Sequence, residues 1–156
     1  MQTSDLLTKI HYYLDEIPEY TAEIEMVKKT RNMTPSDPLH YLWDYNYATY
    51  NEIKTCDRID PDFKIDSKIV EKFEHDLELY LDMYAPGKKD LKSYISAISL
   101  YLTFIAKKPL HPPDVPFSED FHIVKKGEFY YCSGKGRFIR DPGSLCRYCI
   151  CKPLQD

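Results

Sequence analysis

No stretch of this chain stays apolar for long. The longest charge-free run, residues 93–106, has 14 residues and includes several Ser and Thr, whereas a bilayer-spanning helix needs about 20 apolar residues. The N-terminus has no basic start, no uninterrupted apolar run and no small-residue cleavage site, so no secretory signal is expected. Glycine is scarce, at 5 residues against 11 prolines, which points to rigid connections rather than flexible linkers. Internal repeats and low-complexity tracts are absent. So are a Ser-His-Asp order, a nucleophile elbow, a dinucleotide fingerprint and a kinase signature. These absences leave a cytoplasmic protein with no membrane partner and no assignable catalytic or organic-cofactor-binding residue. Whether it is an enzyme stays open. In a reducing compartment, clustered cysteines are metal ligands or redox groups rather than disulfides.

What is present is an ordinary globular balance: 156 residues, 43% apolar and 29% charged. Such a chain builds one core, with room for a small appendage. The 14 tyrosines suit the core boundary, since each packs like a hydrophobe and keeps a polar tip. The net charge of −4 is unevenly spread. Residues 1–106 carry 12 basic and 19 acidic side chains, and residues 107–156 carry 9 and 6. The acidic part argues against nucleic acid as a partner of the whole molecule, while the basic tail leaves that option open locally.

The first two thirds read as about five helices. Residues 4–16 place Leu6, Leu7, Ile10, Tyr13 and Leu14 at helical spacing behind Ser4 as an N-cap. Pro18 opens a second helix to about Asn32. Asp37 and Pro38 start a third, to about Asp57, with Trp43, Tyr47, Tyr50 and Ile53 inward and Cys56 as a core residue. Asp66 caps a fourth, whose apolar face holds Ile69, Val70, Phe73, Leu77, Tyr80, Leu81 and Tyr84 before Pro86-Gly87 ends it. Asp90 caps a fifth. It is apolar on most sides through residue 105 and is expected to be the most buried.

After Lys108 the character changes. Four prolines between 109 and 116 exclude a helix. Residues 121–125 and 128–132 read as two short strands about a Lys126-Gly127 turn, and residues 133–136 as a tight loop. The expected organisation is a helical bundle over 1–107 and a Cys-rich β-hairpin, or metal-knuckle, module over 108–156 packed on it. Four of the five cysteines lie in this tail. Cys132, Cys146 and Cys149 form C-x13-C-x2-C, in which one tight turn aims two thiolates at an ion and a separate hairpin supplies the third. His111, His122 and Cys151 are candidates for a fourth ligand; His111, stiffened by Pro112, is favoured. Zinc is the expected cofactor, with iron or an iron–sulfur cluster the lesser option. About fifty residues are too few to hold together by burial alone, and a structural zinc contributes roughly 10–16 kcal/mol to such units. Docking on the bundle through Phe117, Phe121, Phe129, Tyr131 and Tyr148 is the competing source of stability. A reactive dithiol at Cys146 and Cys149, its pKa lowered by Arg147, is the alternative chemistry.

Other constellations weigh less. Glu71, His75, Glu78 and Asp82 share one face of the fourth helix opposite its apolar stripe, which is the pattern of a solvated surface. His11 and His40 read as boundary residues. Residues 134–137, Gly-Lys-Gly-Arg, lack the spacing of a phosphate loop. Lys125, Lys126, Lys135, Arg137, Arg140 and Arg147 interleave with Phe129, Tyr130, Tyr131, Phe138 and Tyr148, a mixture suited to single-stranded nucleic acid but equally to a solvated basic surface.

The tail also resembles a family of archaeal proteins, found mainly in methanogens and known only as a domain of unknown function. The resemblance rests on His111-Pro112, Phe117, Tyr130-Tyr131-Cys132, Lys135 and Leu145-Cys146-Arg147-Tyr148-Cys149. This chain departs from the family pattern at residues 113–118 and at Ser133, where the family carries glycines and proline. The resemblance implies a cytoplasmic archaeal protein, points to His111, Cys132, Cys146 and Cys149, and sets Cys151 aside. It implies no activity. The sequence as a whole predicts a helical protein whose zinc module stabilises a binding surface for a protein or nucleic-acid partner; a cysteine-based redox or metal-dependent enzyme is the alternative.

Overall fold

A computed structural model describes residues 1–17, 38–115, 122–138, 140–141 and 143–154. The second expected helix, Asp37, Phe117 and Phe121 lie outside these residues. Among the described residues the fold is mainly helical with a small three-stranded sheet.

Helix α1 (Thr3–Asp15) buries Leu6, Leu7 and Ile10. It starts ahead of the expected Ser4 cap because Ser4 is engaged elsewhere: its Oγ donates to Asp62 Oδ2 at 2.7 Å, and Thr3 Oγ1 donates to Asp62 Oδ1 at 2.6 Å. These donors hold the Asp62 carboxyl below its usual range. Helix α2 (Pro38–Thr55) begins at the expected proline and buries Tyr50 and Ile53. It stops one residue before Cys56, which is half-buried against the core.

Helix α3 (Ser67–Tyr84) is capped as expected, the Lys68 N–H donating to Asp66 Oδ1 at 2.9 Å. Its buried stripe is Val70, Phe73, Leu77 and Leu81, while Ile69 stays exposed. Gly87, at a φ of +74°, takes the left-handed conformation that ends this segment. Helix α4 (Lys89–Leu100) starts ahead of Asp90, which sits in the first turn rather than at the cap. It runs directly into a π-helical turn, Tyr101–Ala106, that stops at left-handed Lys107. Leu91, Tyr94, Ala97, Ile98, Leu100, Leu102 and Phe104 are all buried, so the all-round apolar segment is the centre of the bundle. It packs on α1, α2 and α3.

Strands β1 (Ile123–Lys126) and β2 (Phe129–Cys132) pair antiparallel around Gly127, whose φ is +66°. A one-turn helix α5 (Lys135–Phe138) replaces the expected loop. A two-residue edge strand β3 (Lys152–Pro153) then pairs parallel with β2, setting Cys132 opposite Pro153. Proline is tolerated there because an edge strand has a free side. Among the described residues no helix is long and apolar enough to cross a membrane.

Candidate metal centre

On α3 the tail is tied to the bundle around Phe73 and Asp76. Tyr148 sets its ring edge-on against Phe73 at 4.9 Å between centroids, and Phe73 meets Phe104 the same way at 5.5 Å. Beside this aromatic contact, Arg147 Nη2 donates to Asp76 Oδ2 at 2.6 Å, and the Tyr148 hydroxyl donates to the same oxygen. The tyrosine hydrogen bond first and then the guanidinium hold the Asp76 carboxyl below its usual range. Leu110 and Leu145 pack on the same core, and the Tyr45 hydroxyl donates to the Pro109 carbonyl at 2.7 Å. Of the residues expected to dock the tail, Tyr148 does so, Tyr131 is half-buried and Phe129 is half exposed at 50%. The expectation that Arg147 acts on the thiols is corrected: its charge is committed to Asp76.

This docking brings the thiols together. Cys132 ends β2 and is buried; its sulfur faces the N–H groups of Gly134 and Lys135 at the start of α5. Cys146 and Cys149 lie on one turn, closed by Cys149 N–H donating to the Cys146 carbonyl at 3.2 Å and steadied by Cys146 N–H donating to Ser144 Oγ at 3.1 Å. Cys151 is buried beside Cys132 and Ile123. No disulfide joins any of the five cysteines. His111, Cys132, Cys146, Cys149 and Cys151 line one cavity; His122 is not among its lining residues, its N–H going to Ser133 Oγ at 2.8 Å.

The electrostatics divide the thiols. The Cys151 thiol hydrogen-bonds the Cys149 sulfur, and this bond does most to bring Cys149 down to about 6. Burial opposes it, while the N–H groups of Cys151 and Leu110 and the Lys135 charge assist. Cys151 is pushed up as the donor of that bond. Burial raises Cys132, and nearby Cys149 and Cys146 add to the rise. Within the hydrogen-bonded pair, negative charge is therefore favoured on Cys149 over Cys151. Burial lowers His111, which keeps its imidazole neutral.

Lys135 has a role that sequence reasoning did not assign. Its side chain is only 5% exposed, and its ammonium donates to the carbonyls of Cys146 and of Cys149, the latter at 2.7 Å. It clamps the two-cysteine turn and supplies positive charge beside the thiolate. In sequence this lysine stands in a glycine-rich loop, in the basic–aromatic set and among the residues that carry the family resemblance, none of which gives it a contact with the cysteines.

The arrangement is a collection of soft donors around a cavity rather than a finished chelate. Among the described residues no group of three or more His, Cys, Asp or Glu side chains is set to hold a metal ion. The other constellations resolve simply. Glu71, His75, Glu78 and Asp82 are all exposed, as a solvated face should be. His11 hydrogen-bonds the Cys56 carbonyl at 3.0 Å, and His40 lies 3.6 Å from Asp44. Lys125, Lys126 and Lys152 sit over the rings of Tyr130, Tyr131 and Phe129, so the aromatic faces of the hairpin are covered by the chain's own cations.

Fold and site together define a helical bundle carrying a docked, thiol-bearing hairpin. The chain belongs to the family described as an uncharacterized protein conserved in archaea (DUF2115), whose model matches residues 3–154. A UPF0305 protein of Methanocaldococcus jannaschii is 31% identical over 166 residues, covering 100% of this chain and 99% of that protein. A UPF0305 protein of Methanothermobacter thermautotrophicus is 25% identical over 133 residues, covering 83% of this chain and 81% of that protein. One from Methanococcus maripaludis is 33% identical over 104 residues, covering 66% and 62% respectively. No solved structure matches.

Proposed function

We propose that residues 108–156 act as a metal-stabilised unit in a cytoplasmic, non-enzymatic binding protein. Cys132, Cys146 and Cys149 hold a zinc ion, and His111 is the fourth ligand. One observation carries this reading: two segments separate in sequence bring free cysteines to one cavity, beside a buried lysine that offsets thiolate charge. Thiolate is the form that binds metal, and Cys149 already favours it. A neutral imidazole is equally ligand-ready. Among the described residues no three donors already stand in chelating geometry, so the side chains rotate onto the ion as it binds. The role of such a centre is structural: it fixes the 144–149 turn and the hairpin against α3, presenting the exposed Lys125, Lys126 and Phe129 to a macromolecular partner.

The test is elemental analysis of protein purified under reducing conditions. The expected result is near-stoichiometric zinc in the parent chain, lost in Cys132→Ser, Cys146→Ser and His111→Ala, and held more weakly in Lys135→Met. A parent chain that takes up no zinc after reconstitution removes the proposal.

One observation favours a second reading, the hydrogen-bonded pair Cys149 and Cys151. Two such thiols form a disulfide by giving two electrons and two protons to an oxidant, such as a partner protein's disulfide. Mass analysis after diamide treatment separates the readings, since a metal-filled site resists this oxidation and a redox pair closes at once.

A further inference from the structure

Zinc ligation and disulfide formation lay claim to one atom, the Cys149 sulfur. In the first it joins His111, Cys132 and Cys146 on the ion; in the second it joins Cys151. Cys151 is outside that ligand set. It is nevertheless only 4% exposed, lines the same cavity, and lies in one buried cluster with Cys132 against which Cys149 packs.

Separate restraints hold the two sulfurs beside each other. Cys149 is fixed by its turn, its N–H meeting the Cys146 carbonyl at 3.2 Å, and by the Lys135 ammonium on its own carbonyl at 2.7 Å. Cys151 is fixed by the entry to β3, where Lys152 pairs with Tyr131 and the Leu154 N–H donates to the Cys132 carbonyl at 3.0 Å. Across the single intervening residue, the Cys151 thiol hydrogen-bonds the Cys149 sulfur.

The two fates of Cys149 exclude one another. Metal takes a thiolate, and a sulfur bonded to another sulfur has none to give. The chemistry of closure follows from exposure. Cys149 is half-buried and is the sulfur that an oxidant meets first; Cys151 is buried and completes the bond. With a disulfide as oxidant, the Cys149 sulfur attacks one of its sulfurs and expels the first thiolate. Cys151 then attacks the Cys149 sulfur and expels the second. The two protons of the cysteine thiols end on the two leaving groups, so the oxidant departs as two thiols.

We propose that Cys151 is a redox lock on metal loading: in the metal-free chain it closes onto Cys149, removes that ligand and blocks zinc uptake until the bond is reduced. The inference rests on the zinc reading of the site and adds its regulation.

The test uses the full-length chain, stripped of metal and reduced, with and without one equivalent of diamide, which accepts the two electrons and two protons across its N=N bond. Peptide mapping locates the disulfide, and equilibrium dialysis measures zinc. The expected map shows Cys149 joined to Cys151. Removing a ligand outright should exceed the roughly 10–100-fold cost of removing a residue that supports one, so zinc affinity should fall by more than about 100-fold. Treatment with tris(2-carboxyethyl)phosphine should restore it. Cys151→Ser should take up zinc as the reduced parent does and go on doing so after the same dose of diamide. A reduced parent chain that binds no zinc overturns the zinc reading and the lock together. The lock alone is overturned if the reduced chain binds zinc but the oxidised chain binds it equally, if the bond joins another pair, or if Cys151→Ser loses uptake to the same extent.

Discussion

The bundle and the tail reach order by different means. Around α4 and the π turn, stability is spread over many apolar side chains: Leu6, Ile10, Phe73, Tyr94, Ile98 and Leu102 are each nearly inaccessible to water. Among the described residues of the tail, the buried cluster comprises Ile123, Cys132 and Cys151, and much of the remaining work falls to a few directed contacts. Those contacts are the Asp76 clamp, the Lys135 clamp and the pairing of β2 with β3. A distributed core tolerates the loss of a contact at its margin, whereas a region held by a few directed contacts loses a large share of its order with each one.

The largest effect should come from the residue the two regions share. Phe73 is fully buried in the bundle and receives the Tyr148 ring from the tail. Phe73→Ala should cost about 3–5 kcal/mol, the usual range for emptying a buried phenylalanine site. Urea unfolding followed by circular dichroism measures the loss, and amide exchange should show it in both regions. A loss confined to one region would mean that bundle and tail are coupled less closely than this contact indicates.

A cut at the clamp itself should separate the regions. Asp76→Asn keeps the shape of the side chain but removes the charge that Arg147 and Tyr148 address. Hydrogen bonds to charged groups are worth about 1.5–3 kcal/mol, so residues 143–154 should exchange faster while α4 stays protected. Acid should imitate the substitution. The folded Asp76 carboxyl titrates below its ordinary value of about 3.9, so its contribution is complete above that pH. It is lost as the pH falls through the lower, folded value. The tail should therefore loosen in acid in the parent chain, and Asp76→Asn should remove that pH dependence. Asp62 is shifted in the same direction but anchors the start of α1, so residue-resolved exchange tells the two apart.

This division also marks what the sequence could reveal. Helix starts set by local rules were legible: the Asp66 cap, Pro38 at the head of α2 and Gly87 after α3. The central place of α4 followed from its all-round apolar composition. Starts set by distant partners were not legible, since Ser4 gives its hydroxyl to Asp62, 58 residues away. The π turn at Tyr101–Ala106 carries no residue signature at all. In the tail, the two-residue cysteine gap announced the turn. The roles of Lys135 and Asp76 were hidden for one physical reason. Each acts on a segment that only tertiary folding brings near: Lys135 on a turn 11 to 14 residues on, Asp76 on side chains 71 and 72 residues away.

The smallest expected effect sharpens the contrast at a single helical step. His75 and Asp76 are neighbours on α3, and sequence pattern groups His75 with Glu71, Glu78 and Asp82 as a tempting carboxylate–histidine set. Helix geometry turns successive residues about 100° apart, so Asp76 meets the tail while His75 points to solvent. An exposed side chain without a cap, a clamp or a cavity contact leaves stability within about 0.5 kcal/mol when replaced. His75→Ala should therefore leave the urea midpoint, the exchange of residues 143–154 and the metal content of the protein at their parent values. A fall in metal content would instead place a ligand on this face and move the centre away from the thiols, a result that no change in docking alone could produce.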